Sequence, residues 1–162
     1  MSLNKFYFLE ELAAVLGEQR KNKKIALANG GFDLVHIGHV RYLTGAKETA
    51  DILVVALNSD KSLKQLKGDH RAILDEQSRI RIIAAFACVD YVTIFDEQTV
   101  DRVILTLKPD IHCKGSDYTV DTVPEKNTVK SYGGTVTIVG GDKIRSTSHI
   151  ITDIRNRGNR GN

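Results

Sequence analysis

Apolar residues recur along this chain in two rhythms. Short runs rich in Ile, Val and Leu, at 24–29, 51–57, 90–95, 110–113 and 134–139, read as strands. Their nearly unbroken apolar character is that of parallel strands buried on both faces. Helical spacing fills the intervals, at 38–50, 76–87, 99–107, 124–132 and 147–156. Ahead of them, Phe8, Leu9, Leu12, Ala13 and Leu16 form a stripe that predicts a helix within 6–20. Asp75 is placed to cap the helix from 76, and Pro124 suits the first turn of the helix from 124. Ile80, Ile83, Ala84 and Ala87 share one helical face, which assigns that face to the core.

Strands alternating with helices over this length predict one α/β domain, Rossmann-like and doubly wound. Right-handed crossovers then give a five-stranded parallel sheet in the order 3-2-1-4-5. Ligands of such sheets bind beyond the carboxyl ends of the strands, at the switch point beside the first strand. The expected organisation is a helical extension at 1–22, the domain proper at 23–154, and a basic, disordered tail at 155–162.

Composition narrows the function classes. At 41% hydrophobic and 27% charged, the 162 residues have an ordinary globular make-up and enough length to bury a core. No apolar run approaches the roughly 20 residues that cross a bilayer. Nor does the N-terminus show a basic stretch followed by an apolar one, so a cytoplasmic protein without a membrane partner is expected. Cys88 and Cys113 stand apart and outside any CxxC pattern, which predicts two reduced, buried thiols and no zinc site. Net charge is +3, and the tail holds three arginines of its own, so the remainder is near neutral. No nucleic-acid partner is expected from such a balance.

The chemistry concentrates in Asn29-Gly30-Gly31-Phe32-Asp33-Leu34-Val35-His36-Ile37-Gly38-His39, a strand-to-helix turn. A helix N-terminus offers free N–H groups and partial positive charge, which favour a bound phosphate. Gly38 removes a side chain where a phosphate would come close, and His36 and His39 flank it. Such equipment suits a nucleoside triphosphate. Transfer of a nucleotidyl group needs alignment of nucleophile and leaving group, and neutralisation of growing phosphate charge, more than covalent help. Imidazoles can supply this, with Mg²⁺ shared between phosphate oxygens rather than held in a protein-only site. Nearby anions favour protonation, so one or both rings are expected to be cationic beside bound nucleotide.

His36-Ile37-Gly38-His39 is the HxGH signature of the nucleotidylyltransferase superfamily, which this chain resembles. A closer resemblance is to the adenylyltransferase domain of bacterial ADP-heptose synthases. It rests on 29–40, Leu-Asn-Ser-Asp (57–60), Leu-Lys-Gly (66–68) and Cys-Val-Asp-Tyr-Val (88–92). It continues through Leu-Lys-Pro-Asp (107–110), Lys-Gly-Ser-Asp-Tyr (114–118) and Arg-Ser-Thr-Ser (145–148), covering about 23–154. The resemblance implies transfer of AMP from ATP to a heptose 1-phosphate, giving ADP-heptose and pyrophosphate. It also implies Mg²⁺ as cofactor, a homodimer, and a form without the sugar kinase that two-domain members carry.

Residue by residue, the resemblance assigns Asn29, Gly30, Gly31, Phe32, His36, Gly38 and His39 to the nucleotide. Lys114, Gly115 and Asp117 after the fourth strand, and Arg145, Ser146 and Thr147 before the last helix, join them. His36, His39 and Lys67 are the expected catalytic groups. Lys67 and Arg71 are expected on the sugar phosphate. Asp33 either positions a substrate hydroxyl or a phosphate-bound metal, or caps its own turn. Arg79 either clamps a phosphate or orders the adjoining loop; Arg81 lies about 200° around the helix and cannot share its site. Heptose-type sequences usually carry Cys where this chain has Gly31, a change tolerated if only the backbone is used. His70, His112 and His149 read as surface or satisfied polar positions. A cytidylyltransferase for glycerol 3-phosphate shares HxGH but usually has Arg-Thr-Glu-Gly-Ile-Ser-Thr-Thr before the last helix, unlike 140–148 here. An inactive nucleotide-binding module is the third alternative.

Overall fold

The computed structural model describes residues 5–67, 72–142 and 147–158, with backbone only for Lys67, Thr147, Ser148 and Gly158. The strands are β1 (Ile25–Gly30), β2 (Ile52–Asn58), β3 (Tyr91–Phe95), β4 (Ile111–Lys114) and β5 (Thr135–Ile138). All pair in parallel, and the order across the sheet is β3-β2-β1-β4-β5, as expected. Helices are α1 (Leu9–Gln19), α2 (Ile37–Glu48), α3 (Asp60–Lys67), α4 (Glu76–Ala84), α5 (Asp101–Leu107), α6 (Lys126–Lys130) and α7 (Thr147–Gly158).

Alternation along the strands builds two apolar layers. On one face Ile25, Leu27, Ile52 and Val54 pack with Leu9, Leu12 and Leu16 of α1 and Val103, Ile104 and Leu107 of α5. On the other, Ala26, Ala28, Leu53, Val55 and Leu57 meet Leu43 and Ala46 of α2 and Ile80, Ile83 and Ala84 of α4. Small alanines in β1 let α2 lie close to the sheet. The N-terminal helix is therefore core rather than an extension, and trimming Leu12 to Ala would cost about 2–5 kcal/mol. The residues before it add a rung to the sheet edge: Tyr7 N–H donates to the Val92 carbonyl at 3.0 Å and Val92 N–H to that of Lys5 at 2.8 Å. Covering that edge blocks strand addition there.

Several boundaries differ from the pattern reading. Residues 60–67 form α3, an element that the apolar spacing does not announce. The α4 helix stops at Ala84, leaving Ala87 exposed beyond it. Asp75 caps α4, accepting from Ser78 N–H at 2.7 Å. The α6 helix begins after Pro124, at Lys126. Helix α7 runs through Gly158, so the start of the segment expected to be a disordered tail is helical. Both cysteines are free thiols, Cys113 buried and Cys88 half-buried. Among the described residues no helix is long and apolar enough to cross a membrane.

Candidate active site

The β1–α2 turn carries an unusual cap. His36 is the N-cap of α2, and its Nδ1 accepts from Gly38 N–H at 3.1 Å. One turn on, His39 Nδ1 accepts from His36 N–H at 3.3 Å. This is the reciprocal geometry of a capping box, with imidazoles in place of the usual hydroxyl and carboxylate. A backbone N–H can only donate, so each Nδ1 is bare and each Nε2 carries the ring proton. The rings lie 4.0 Å apart, centroid to centroid. Burial lowers the His36 pKa, and burial together with the neighbouring His36 pushes that of His39 down to about 4. Both imidazoles are thus neutral Nε2–H donors here. Protonating either at Nδ1 would break a cap, which opposes the cationic form expected from the anion argument alone.

Phe32 shapes the turn. Its φ of 49° is in the left-handed region, which costs a non-glycine residue about 1–3 kcal/mol. That backbone folds the ring inward, 5.1 Å from the His39 ring and stacked 6.4 Å from Tyr42. The same ring roofs Gly30, where a Cβ would come within 3.2 Å of Phe32 Cε2. At Gly31 a Cβ would meet the flexible end of the Leu63 side chain, with Cδ2 at 3.0 Å. A cysteine there requires Leu63 to shift, so the departure from the usual heptose-type residue is sterically small.

Beyond the turn, β1 and β4 part at the switch point. Their pairing runs to Ala28 and Cys113. Past it the Tyr42 hydroxyl bridges the strands, accepting from Asn29 N–H at 3.2 Å and donating to the Cys113 carbonyl at 2.7 Å. Burial raises the Tyr42 pKa strongly, so the hydroxyl stays protonated. Across the same gap, Lys114 Nζ donates to Asn29 Oδ1 at 3.0 Å and lies 5.3 Å from the Tyr118 ring centroid. Asn29, His36, His39 and Lys114 are thereby linked at the carboxyl ends of β1 and β4 through Tyr42 and Phe32. Gly115 and Asp117 follow β4, with open space where a Gly115 Cβ would stand.

Two residues expected on the substrate are engaged within the protein. Asp33 is 7% exposed and accepts from Ile73 N–H at 3.0 Å and Leu74 N–H at 2.9 Å. Its carboxylate fastens the loop ahead of α4, some 40 residues away in sequence, rather than capping its own turn. Arg79 is fully buried. Its Nη1 donates to the carbonyls of Gly31 and Asn58, both at 2.7 Å, and its Nε to that of Leu74 at 3.2 Å. Nη2 pairs with Asp60 at 2.8 Å. The guanidinium is thus spent on three carbonyls and Asp60, and ties the ends of β1 and β2 to the loop ahead of α4. Lys67 ends α3, and Thr147 begins α7, which positions their backbones alone. Arg71, Arg145 and Ser146 lie outside the described residues, as does His70.

Sequence reasoning passed over three residues of this region. Tyr42 falls three positions after His39 on the same helical face, a spacing that could have flagged it. Glu125 sits 3.3 Å from Lys114 Nζ. His112, read as a satisfied polar position, is fully buried, and neither ring nitrogen has a hydrogen-bond partner among the described residues. His149 is exposed on α7, in keeping with its surface reading.

Comparison with known proteins supplies the family. The family model described as cytidylyltransferase-like matches residues 27–156. The bifunctional protein HldE of Geobacter metallireducens is 50% identical over 147 residues, 90% of this chain and 30% of that protein. HldE of Syntrophotalea carbinolica is 46% identical over 159 residues, 98% of this chain and 32% of its own length. The chain therefore spans about a third of the length of the relatives it matches. Among solved structures, a lipopolysaccharide core biosynthesis protein from Thermoplasma volcanium superposes with a TM-score of 0.64 at 31% identity, over 76% of this chain and 100% of that one. A pantoate-beta-alanine ligase from Francisella tularensis shares the fold, with a TM-score of 0.62 at 14% identity over 88% of this chain and 68% of that chain. With the family match spanning most of its length, the chain belongs to the cytidylyltransferase-like family of nucleotidyltransferases.

Proposed function

We propose that this chain transfers AMP from ATP to a heptose 1-phosphate, forming ADP-heptose and releasing pyrophosphate. One observation carries the reading: both HxGH imidazoles spend Nδ1 on capping α2, leaving two Nε2–H donors at a helix N-terminus beside the β1–β4 crevice. A phosphate oxygen of the sugar phosphate attacks the α-phosphorus of ATP. The new P–O bond forms as the bond to the α,β-bridging oxygen breaks, and pyrophosphate leaves with that electron pair. Donors fixed in advance on the phosphate chain stabilise the charge gathered on the bridging oxygen.

Mg²⁺, brought in with the nucleotide, would supply Lewis acidity to the phosphates. The acid of the turn, Asp33, is committed to two backbone N–H groups, so the fit is to a phosphate-held ion rather than a protein-held one. Lys67 is proposed to meet the sugar phosphate, as family resemblance implies. The heptose assignment is supported by the likeness to HldE proteins and to a lipopolysaccharide core biosynthesis protein.

The test is pyrophosphate release from the purified chain across nucleoside triphosphates and phosphorylated acceptors, with and without Mg²⁺. ATP with heptose 1-phosphate is expected to exceed every other pair by at least about 100-fold in kcat/KM, a difference of about 2.7 kcal/mol. Equal turnover of CTP with glycerol 3-phosphate would reject the heptose assignment. No turnover with any pair would favour a binding module.

A further inference from the structure

Lys114 carries a cation to the crevice, yet its side chain is only 9% exposed. Its ammonium already has acceptors on several sides: Asn29 Oδ1 at 3.0 Å, Glu125 Oε1 at 3.4 Å and the Tyr118 ring. Glu125 Oε2 lies 3.3 Å from the same nitrogen. Burial opposes the Glu125 charge, but the Lys114 ammonium beside it outweighs that, and its pKa is held down at about 2. His112 Nε2 is 3.7 Å from Oε2, beyond hydrogen-bond range, and burial keeps the ring neutral. Lys114 is thus the cation that balances Glu125, and the pair is fixed in place.

An ammonium has three donors and no acceptor. Asn29 must therefore turn its oxygen towards Lys114, because the flipped amide would set N–H against N–H. Its amino group is then the end facing away from Lys114. The orientation of this carboxamide is dictated by charge rather than left to the ligand.

We propose that Lys114 and Glu125 are positioning residues that lock the Asn29 carboxamide as a hydrogen-bond donor for an acceptor-only group, the phosphate chain of the bound nucleotide. This deepens the nucleotidyl-transfer reading and rests on nucleotide occupying the β1–β4 crevice. Lys114 acts through Asn29 and does not touch the phosphates. Two consequences separate this from direct contact. Removing Asn29 should cost as much affinity as removing the charged pair, and once Asn29 is gone the pair should no longer matter.

The experiment is a double-mutant cycle on the full chain, read by calorimetric titration with a non-hydrolysable ATP analogue. Asn29→Leu removes the amide at constant shape. Lys114→Met with Glu125→Gln removes both charges together, so that neither is left buried alone. Each change is expected to weaken binding about tenfold, and the triple variant no further than the weaker of the two. In turnover, KM for ATP should rise with kcat within about threefold and KM for the sugar phosphate unchanged, a split that general loosening of the fold would not give. Melting curves establish that each variant is folded; as a backstop, Lys114→Arg with Glu125 retained keeps the charge and should restore most of the affinity. Losses that multiply to about 100-fold in the triple variant would mean that Lys114 meets the nucleotide itself and would overturn the proposal. Wild-type affinity in the Asn29→Leu variant would overturn it as well. Failure of the function reading appears in the wild-type protein as absent pyrophosphate release, whereas failure here appears only in the ratio of variant to wild type. A wild-type chain that binds no nucleotide would end both.

Discussion

The Tyr42 hydroxyl donates to the Cys113 carbonyl at 2.7 Å while accepting from Asn29 N–H, and so stands as a rung between two strands that have begun to separate. Parallel strands left unbridged at this point would carry an unmet donor and an unmet acceptor in a buried place. The side chain from α2 satisfies both. It also links the histidine cap to β4, because Tyr42 and His39 sit on one face of the same helix.

Tyr42→Phe keeps the ring, and its stack on Phe32, but withdraws the bridge. We expect a loss of about 1–3 kcal/mol in urea unfolding, the range for leaving buried polar groups unsatisfied. A lower kcat/KM should accompany it as β1 and β4 close together. Stability unchanged within about 0.5 kcal/mol would show that the strands recover the missing bond directly.

The two nitrogens of His39 have separate duties, and side-chain choice can divide them. Asparagine places an acceptor near the Nδ1 position and leaves nothing at Nε2. His39→Asn should therefore fold nearly as well as the parent, while His39→Ala should lose a further ~0.5–2 kcal/mol with the cap. Both should lose about 10²–10⁴ in kcat, since both lack the Nε2 donor. Thermal melts and pyrophosphate-release assays on the pair check the two halves independently. Retained turnover in His39→Asn would remove this ring from the chemistry.

The strand order, the crevice and the histidine turn were legible because their signals are local: unbroken apolar runs, a glycine-rich turn and helical spacing. Helix α3 was not, since only Leu63 and Leu66 are apolar between Asp60 and Lys67, too few to mark a stripe. Arg79 shows the deeper difficulty. Its acceptors include backbone carbonyls 48 and 21 residues away, and backbone carbonyls leave no trace in residue identity. His112 and Glu125 were missed for a related reason. Each is unremarkable in its own segment, and their meaning arises only when β4 and α6 bring them to Lys114.

Arg79 gives a strong stability prediction. Its guanidinium is fully buried, holds three carbonyls, and pairs with Asp60. Lysine has the charge without the planar fork and cannot reach the same set. Arg79→Met would leave the acceptors unmet and should cost about 3–5 kcal/mol, with Arg79→Lys losing less but still clearly unstable. If the residue acted on substrate instead, Arg79→Lys would lower kcat/KM with an unchanged denaturation midpoint. Chemical denaturation beside kinetics at a temperature where both variants are folded tells the two apart.

Stability should fall in two stages as the solution is acidified, and the sign follows from which state binds the proton. His36, His39 and His112 all have folded pKa values below the 6.5 of an exposed histidine, His39 at about 4. Below pH 6.5 the unfolded chain takes up protons that these rings refuse in the fold, so unfolding gains ground until their folded values are passed. Glu125 then acts in the same direction for the opposite charge. Its folded pKa of about 2 is below its ordinary 4.5, so it contributes stability above pH 4.5 that is lost between 4.5 and 2. Urea midpoints measured across this range should decline from pH 6.5 downward and steepen below 4.5. His39→Asn should flatten the upper stage and Glu125→Gln the lower one. A midpoint constant between pH 6.5 and 4.5 would mean that the rings titrate normally, and with that the neutral, cap-forming imidazoles would lose their support.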